Sequence, residues 1–431
     1  MTPPPSLTID RSLTRALKQF DADRLRWLDE AAAIGPIVAL RMGPIPTWIV
    51  TDPEVARTML LAGTAWRRPP GTLTPIRLGV GENLFTQSDK AWANLQPAVA
   101  PAFRKSALEA RLADMDALIA DEVHAIPLDT TVDLELAMGR IALILAAWVL
   151  LGERLDSGRA EEIALHQRDV VSWVGEQLGR MSGGLPIAIG ARGRTMKRRR
   201  AVLNAYADEV IARAKAAPRD GDDVLGALMG ARPAGKPLAP NQLRGHVLGL
   251  FLAGNETTAA ALAWALVHGA RSPDEWRRVR DEPERLSSPF VMEALRLNPA
   301  VWGIPRTPTK AGTTVTSGEV TVSVRRGIPV IVYIRGINRD EKVWVDPLRF
   351  DPARHLASGP EQHRALLPFG LGPRGCIGQH LAMAELNAVL PALARHGDVE
   401  IVGTPSENPA FALRVTGGLH GCFTASPPRN P

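Results

Sequence analysis

The chain has 431 residues, of which 45% are hydrophobic and 22% charged, and its formal net charge is +6. This composition predicts a globular protein with an ample core, and we find no run of the ~18 apolar residues that a membrane span requires. Its two cysteines, Cys376 and Cys422, exclude a disulfide scaffold and a four-cysteine zinc or iron–sulfur site.

The first ten residues, MTPPPSLTID, lack the basic start and apolar core of a secretion signal. We therefore predict a cytoplasmic protein without a membrane anchor. The densest basic cluster lies between Arg192 and Arg200 and contains no aromatic residue. A solvated helix face is its ordinary interpretation, and we expect no nucleic-acid partner. A nucleic-acid-binding protein remains the alternative, which a salt-dependent binding assay would test.

Helical spacing of apolar residues dominates the middle of the chain, and short β-prone runs occur near both ends. Because no linker separates parts that could fold alone, we predict a flexible tail over residues 1–10 and a single domain over 11–431. The elements expected along the chain are a helix over 11–33, strands over 38–42 and 46–51 around a Gly43-Pro44 turn, a helix over 53–61, a loop over 63–89, helices through 90–296, strands over 320–324 and 330–334, and a helix to about residue 396.

The segment around Cys376 reads LPFGLGPRGCIGQHLA over residues 367–382. Its glycines let the backbone approach another group closely or adopt positive φ. The helix start behind the cysteine supplies free amides that favour a thiolate. Phe369 could shield the sulfur, and Arg374 could neutralise an acidic group beside it. These are the parts of a haem site with one axial thiolate, and the alternative is an ordinary buried cysteine in a glycine-rich turn.

At these residues the chain resembles the cytochrome P450 family. The family pattern Phe-x-x-Gly-x-Arg-x-Cys-x-Gly is met by Phe369, Gly372, Arg374, Cys376 and Gly378. The resemblance implies a mainly α fold with small β-sheets, built as one large helical haem domain. It also implies haem b as the cofactor, iron bound by Cys376, and a cradle for the haem from the other four residues.

Residues 253–258, AGNETT, resemble the oxygen-activation motif of the same family. A glycine within a helix costs ~1 kcal/mol relative to alanine, and a threonine hydroxyl can divert a backbone hydrogen bond. Together they can open a groove beside Ala253 and Gly254. The resemblance implies that Thr257 hydrogen-bonds dioxygen there and that Glu256 relays protons. Ordinary helix packing is the alternative for such a segment taken alone.

Glu293 and Arg296 match the Glu-x-x-Arg motif of the family. The i, i+3 spacing places both side chains on one face of a helix, where they can pair. The later segment Pro347–Phe350 resembles the Pro-x-Arg-Phe segment of the family. The resemblance therefore implies a structural lock of Glu293, Arg296 and Arg349 that braces the cysteine loop.

Haem carries two propionates, which require cationic or hydrogen-bonding partners. The resemblance implies Arg374 and Arg306 for this role, although Arg306 could instead be an ordinary surface arginine. Trp92 matches the Trp-x-x-x-Arg helix of the family, but Gln96 stands at the arginine position. Gln96 can donate a hydrogen bond but carries no charge.

The function that the resemblance implies is a haem-thiolate monooxygenase of the soluble bacterial type. It would insert one oxygen atom from dioxygen into a small apolar organic substrate, with electrons from a separate ferredoxin and ferredoxin reductase because we expect no fused electron-transfer module. In the substrate-facing loop we expect Arg67, Arg68 and Arg77 to point to solvent. A peroxide-driven peroxygenase on the same fold and a non-catalytic haem sensor remain alternatives.

Overall fold

Two long apolar helices form the centre of the protein. In the computed structural model, which describes residues 5–43, 45–179, 190–216 and 223–425, the helix Pro240–Arg271 packs against the helix Leu134–Ala146. A π-helical turn, Ala147–Leu151, extends the second of them. Apolar side chains occupy most faces of both helices, which is the pattern of helices buried on all sides.

The other helices pack around this pair, and they are numbered along the chain. The helices are α1 (Leu13–Ala22), α2 (Arg24–Ile34), α3 (Pro53–Leu61), α4 (Pro70–Val80), α5 (Asp89–Val99), α6 (Lys105–Leu112), α7 (Met115–His124), α8 (Leu134–Ala146), α9 (Ser157–Gly179), α10 (Gly190–Ala216), α11 (Val224–Gly230), α12 (Pro240–Arg271), α13 (Pro273–Asp281), α14 (Pro283–Leu297), α15 (Ile334–Ile337), α16 (Pro360–Ala365) and α17 (Gln379–His396).

The strands form small sheets at the edges of the helical body. They are β1 (Ser6–Asp10), β2 (Ile37–Met42), β3 (Ile45–Val50), β4 (Trp66–Arg67), β5 (Val132–Asp133), β6 (Ile304–Pro308), β7 (Thr313–Ser317), β8 (Val320–Val324), β9 (Val330–Val332), β10 (Asp398–Ile401), β11 (Glu407–Pro409), β12 (Leu413–Val415) and β13 (His420–Thr424). The largest sheet has six strands in the order β1-β2-β3-β9-β6-β4. The others have the order β10-β13-β5, β11-β12 and β7-β8.

The predicted mainly helical fold with small sheets is confirmed. Helix α3 and strand β8 have the predicted bounds, and Asp52 caps α3 by accepting hydrogen bonds from the amides of Glu54 and Val55. Residues 37–50 form the expected hairpin, while Pro44 of its turn lies outside the described residues.

Three segments differ from the sequence interpretation. Residues 6–10, assigned to a flexible tail, form β1, which pairs in parallel with β2. The expected loop over 63–89 contains α4, which the internal Pro75 obscures in the sequence pattern. The strand expected over 330–334 ends at Val332, after which a short helix begins.

Two helical segments have the length and apolar character of a membrane span, contrary to the expectation that none reaches this size. Leu134–Leu151 has a mean hydropathy of 2.0, and Pro240–Arg271 has one of 1.3. About three quarters of each is buried inside the protein, at 72% and 78%. Such burial is also typical of core helices, and here the two segments form the central pair.

Candidate active site

The segment ahead of α17 forms a tight loop that ends at Cys376. Gly370 and Gly372 have φ values of +65° and +74°, a backbone conformation that favours glycine. A Cβ at position 372 would lie 2.3 Å from the carbonyl oxygen of Leu60, so the loop can pack against α3 only with glycine there. The Cys376 amide donates a 2.9 Å hydrogen bond to the carbonyl oxygen of Phe369. These features fix the position of the cysteine directly ahead of α17.

The Cys376 sulfur is accessible and yet surrounded by protein. The residue is exposed, but burial of the thiol raises its pKa, an effect that the Gly378 amide partly offsets. The sequence analysis expected the helix start to favour a thiolate, whereas desolvation outweighs it here. Coordination to a metal ion would reverse that balance, because a coordinating thiol is deprotonated.

One face of α12 is also accessible near the middle of the helix. Leu250, Ala253, Gly254 and Thr257 are half-buried, and the residues between them are buried. Their spacing of i, i+3, i+4 and i+7 places all four on one side of the helix. This side of the helix therefore presents mostly apolar groups and one hydroxyl.

A buried hydrogen bond joins α12 to α17 beside this face. The Thr258 hydroxyl donates to Oε2 of Glu385 at 3.1 Å. Burial raises the pKa of Glu385 to about 8, so its carboxyl group is largely neutral at pH 7. Because α17 begins just behind Cys376, this contact brings the accessible face of α12 and the cysteine loop to the same region.

The predicted roles of Gly254 and Thr257 can be compared with their contacts. A Cβ at position 254 would lie 3.3 Å from Cδ1 of Leu150, so the glycine also allows α12 to approach the π-helical turn closely. The Thr257 hydroxyl donates to the carbonyl oxygen of Ala253 at 2.8 Å. The hydroxyl oxygen can still accept a hydrogen bond from a bound molecule.

Glu256 faces a different neighbour from Thr257. Its side chain is 1% exposed, and its oxygens accept from Nε and Nη2 of Arg414 at 2.7 and 3.0 Å. Burial lowers the pKa of Arg414, but Glu256 and Glu135 outweigh burial and raise it. The structure therefore pairs Glu256 with Arg414 and does not bring its carboxylate to the Thr257 hydroxyl. Sequence reasoning missed Arg414 because it lies 158 positions further along the chain.

The predicted lock is built around Arg296, which is 0% exposed. Its Nε and Nη2 donate to the two oxygens of the equally buried Glu293, at 2.7 and 2.8 Å. The remaining donor positions bond the carbonyl oxygens of Asn338, Pro347 and Arg349 at 2.8, 2.7 and 3.2 Å. Arg349 thus takes part through its backbone, while its side chain is exposed. This arrangement holds the coil ahead of the cysteine loop against α14.

Glu293 has further partners that the sequence analysis did not assign. Oε1 accepts from the Asp351 amide at 2.9 Å and from Nε of Arg354 at 3.0 Å, and Oε2 lies 2.8 Å from Nε2 of His355. The guanidinium group of Arg354 is committed to Glu293 and to the neighbouring carbonyl oxygens of Val345 and Arg349.

We expect stability to fall as the pH drops from about 4.5 towards 2. Burial of Glu293 is the largest effect and raises its pKa, but hydrogen bonds from Arg296 and His355 prevail and lower the pKa from 4.5 to about 2. Because the folded-state pKa is depressed, the contribution of Glu293 is fully present above pH 4.5 and is lost as the pH falls through 2. A shift of this size corresponds to about 3 kcal/mol of unfolding free energy.

Urea unfolding at a series of pH values measures this contribution. Arg354→Leu removes one donor to Glu293 and should move the acid-unfolding midpoint to higher pH. Arg278→Leu breaks a half-exposed pair with Glu275 on α13 and should leave the midpoint unchanged. An unchanged midpoint in Arg354→Leu would contradict the role assigned to Glu293.

Partly buried arginines lie around Trp92. The Arg374 guanidinium stacks over the Trp92 ring, with Cζ 4.2 Å from the ring centroid, and its Nη2 donates to Oδ1 of Asp89 at 2.6 Å. Arg306 is 6% exposed, so the alternative of an ordinary surface arginine is wrong. Burial, with a smaller effect from Arg374, lowers the pKa of Arg306 to about 10.

Arg68 is a further member of this group that the sequence analysis assigned to solvent. Its guanidinium lies over the Phe85 ring, with Cζ 4.8 Å from the centroid. Burial is the largest cause that lowers the pKa of Arg68 to about 9, and the charges of Arg374 and Arg306 follow. Gln96 is half-buried on α5 and adds no charge. The cationic group is thus assembled from distant segments of the chain.

The residues of this region fit a haem. An accessible thiol and the apolar face of α12 suit an iron centre and a flat macrocycle, and the arginines suit its carboxylates. Nη2 of Arg68 and Nη1 of Arg374 are buried and have no hydrogen-bond partner among the described residues. Over the same part of the chain, no group of three or more His, Cys, Asp or Glu side chains is arranged to hold a metal ion. Cys376 would hold the iron, and Arg306, Arg374 and Trp92 would border the propionates.

Comparison with known proteins also indicates a haem protein. The chain is 36% identical to cytochrome P450 137 of Mycobacterium tuberculosis over 219 residues, which are 48% of this chain and 45% of that protein. It is 25% identical to the cyclooctat-9-en-7-ol 5-monooxygenase of Streptomyces melanosporofaciens, over 86% of this chain and 84% of that protein. The chain spans about half the length of the first of these relatives.

The fold has a solved counterpart. The crystal structure of CYP175A1 from Thermus thermophilus superposes with a TM-score of 0.80 at 22% identity, covering 97% of this chain and 100% of that one. The family model described as Cytochrome P450 matches residues 22–414, nearly the whole of the described structure. With the cysteine loop in place ahead of α17, the chain belongs to the cytochrome P450 family.

Proposed function

We propose that the protein is a haem-thiolate monooxygenase with haem b, whose iron Cys376 binds. It takes up dioxygen, two electrons and two protons, places one oxygen atom in a C–H or C=C bond of the substrate, and releases the other as water. The observation that carries the proposal is the accessible Cys376 thiol, in the same region as the accessible face of α12. Family membership and the monooxygenase relative support it.

Each site residue has a role that its position supports. A thiolate-bound haem iron supplies cleavage of the O–O bond. Thr257 offers a hydroxyl on the accessible face of α12. Its oxygen can accept a hydrogen bond from a water molecule or from another donor there. Arg414 holds the Glu256 carboxylate in one orientation through two hydrogen bonds. Glu256 can therefore relay protons to the Thr257 region only by way of intervening water or after release from Arg414.

The substrate that we propose is a small apolar organic molecule. Large hydrophobic side chains are exposed in segments that the family resemblance assigns to the substrate side: Phe85 at 45% and Val301 at 38%. Leu250 and Ala253 extend this surface along α12. Arg77 in the same loop donates to the carbonyl oxygen of Thr86, and Arg68 lies over Phe85 near Arg306 and Arg374.

The electron donors that we propose are a ferredoxin and its reductase, acting in the cytoplasm. Arg104 and Lys105 are exposed at the start of α6 and could meet an acidic donor. Arg364 is also exposed but pairs with Glu54. A strong fall in the reduction rate at high salt would support a docking face of this kind.

The decisive experiment combines isotope labelling with a choice of oxidant. The purified protein is supplied with a ferredoxin, its reductase, NAD(P)H, ¹⁸O₂ and a library of apolar substrates preselected by optical titration. Product that carries ¹⁸O supports the proposal. Turnover with hydrogen peroxide and none with the electron donors would favour a peroxygenase. A peroxygenase is the second candidate because Arg414 binds Glu256, the residue proposed to relay protons to dioxygen. No turnover with either oxidant would leave a haem sensor.

We expect Thr257→Ala to uncouple electron transfer from product formation. The variant should retain haem and substrate binding, because the hydroxyl bonds only the Ala253 carbonyl oxygen within its own helix. Product per NAD(P)H should fall severalfold, because the Thr257 hydroxyl no longer positions a proton donor, and hydrogen peroxide should increase in proportion. Thr257→Ser keeps the hydroxyl and should stay close to the parent. Equal yields in Thr257→Ala and the parent would remove Thr257 from the mechanism.

A further inference from the structure

We propose that Arg68 is a third cationic residue for the haem propionates and takes over the part of the arginine that Gln96 replaces. The inference rests on the proposed haem site and goes beyond it by assigning a residue outside the motifs of the family. The pairing of β4 with β6, the burial of Arg68 and the excess of cations around it support this role.

The register of β4 and β6 places Arg68 beside Arg306. The two strands are antiparallel, with Trp66 opposite Pro308 and Arg67 opposite Thr307. Arg68 is the first residue after β4, and Arg306 precedes Thr307 in β6, so the two residues adjoin the last pair of these strands. The charge of Arg306 acts on Arg68. Like charges that lie close together repel each other, so this pair is stabilised by an anion between or beside its members.

The surroundings of Arg68 supply no carboxylate bonded to it. Among the described residues, its guanidinium contacts the Phe85 ring, and its buried Nη2 has no hydrogen-bond partner. Burial and the nearby charges of Arg374 and Arg306 make its positive charge costly in the protein alone. A buried cation of this kind is stabilised by a bound anion.

The charges of the group match those of a haem. Asp89 is the acid that acts on all three of Arg68, Arg306 and Arg374, and it is already bonded to Arg374. Arg77 also acts on Arg68, but its guanidinium donates to the carbonyl oxygen of Thr86. The other three guanidinium groups and one carboxylate leave two positive charges uncompensated. A haem brings two carboxylates at one edge of its ring. Guanidinium groups bind carboxylates in a two-pronged geometry, which suits arginine better than lysine.

The uncharged Gln96 leaves one cation missing from α5, so another residue has to supply that charge. It lies on α5 one turn beyond Trp92, at the position where the family pattern has arginine. Trp92 itself stacks on Arg374, so the haem edge is expected beside both residues. Arg68, which follows directly after β4, brings the charge that α5 does not provide.

Haem release from the purified holoprotein tests the proposal directly. Haem is transferred to excess apomyoglobin, and the rate is followed optically in the parent, Arg68→Leu and Arg67→Leu. Arg67 is the neighbouring control, since it stands opposite Thr307 in the register and is not among the charges that act on Arg68 or Arg306. Arg68→Leu should release haem at least about tenfold faster, because a hydrogen bond to a charged group contributes 1.5–3 kcal/mol. Arg67→Leu should stay within about twofold of the parent.

Two further measurements separate propionate binding from a general loss of structure. Arg68→Leu combined with Gln96→Arg should return the release rate towards that of the parent, because the cation is restored from the other side. The reduction potential of the iron should fall in Arg68→Leu, since loss of a nearby positive charge disfavours the added electron. A variant with a damaged fold would show neither the rescue by Gln96→Arg nor the fall in reduction potential.

Several outcomes would overturn the proposal. Equal release rates in Arg68→Leu and Arg67→Leu would mean that Arg68 does not bind the propionates. Unchanged haem release together with lost binding of laurate would assign Arg68 to the carboxylate of an acidic substrate. A holoprotein that contains no haem at all would overturn the proposed function itself, which keeps the two failures distinct.

Discussion

Cys376→Ser should abolish the thiolate signature and the activity of the protein. The parent, reduced and exposed to carbon monoxide, should show the strongly red-shifted Soret band of a thiolate-bound haem. An alcohol is a far poorer anionic ligand than a thiol, so the serine variant should lose that band completely. The loop itself should persist, because Gly370, Gly372 and the Cys376 amide bond shape it independently of the sulfur.

Cys422→Ser is the matched control for this substitution. Cys422 lies in β13, opposite Glu400 of β10, and none of the loop features around Cys376 surround it. Its variant should keep the red-shifted band and the haem content of the parent. A red-shifted band that survives in Cys376→Ser would exclude Cys376 as the ligand, and loss of the band in Cys422→Ser would point to the second sulfur instead.

Local signals in the sequence were sufficient for many elements of the fold. Helix α3 begins at a proline behind an aspartate cap, and β8 is a run of β-branched residues that ends in a turn. Each of these signals lies within a few residues of the element that it predicts. The boundaries could therefore be placed closely, and the structure agrees with them.

Elements that depend on distant partners were harder to predict. Strand β1 exists because it pairs with β2, and residues 6–10 alone resemble a tail. Helix α4 contains Pro75 and Gly79, which disfavour a helix locally. It packs against α9, and a Cβ at Gly79 would lie 2.7 Å from Val174, so tertiary contact accounts for both the helix and its glycine.

The residues of the candidate site also differ in whether their contacts are local or distant along the chain. The motifs located Cys376, Thr257 and the Glu293–Arg296 pair, whose defining contacts are local. The partner of Glu256, Arg414, lies 158 positions away, and Arg68 meets Arg306 through the pairing of β4 with β6. No spacing within one segment encodes such contacts. They follow from the fold, and they decide which charges are compensated inside the protein.

Arg296→Ala should yield little soluble protein, or protein without haem. The substitution removes two of the hydrogen bonds that compensate the buried Glu293 carboxylate, and breaking a buried ion pair costs roughly 3–5 kcal/mol. It also removes the donors to the carbonyl oxygens of Asn338, Pro347 and Arg349. A typical domain has only about 5–15 kcal/mol of stability in total. The coil ahead of the cysteine loop would then lose its attachment to α14.

Helix α14 begins with an internal control at the same spacing. Glu282 and Arg285 form an i, i+3 pair at 2.7 Å, but the two side chains are 46% and 61% exposed, whereas Glu293 and Arg296 are 0% exposed. Because an exposed pair contributes about 0–1 kcal/mol, Arg285→Ala should have nearly the unfolding midpoint of the parent. Arg296→Lys should lie between the two, since a single ammonium cannot bond a carboxylate and three carbonyl oxygens at once.

Together, the three variants separate the effects of charge, hydrogen-bond geometry and burial on stability. Soluble yield, haem content and the midpoint of urea unfolding are measured for each of them. The expected order of stability is Arg285→Ala, then Arg296→Lys, then Arg296→Ala. If Arg296→Ala were soluble, fully loaded with haem and as stable as Arg285→Ala, burial would add nothing to this pair, and the cysteine loop would have to be held in place by its own glycines and by its packing against α3.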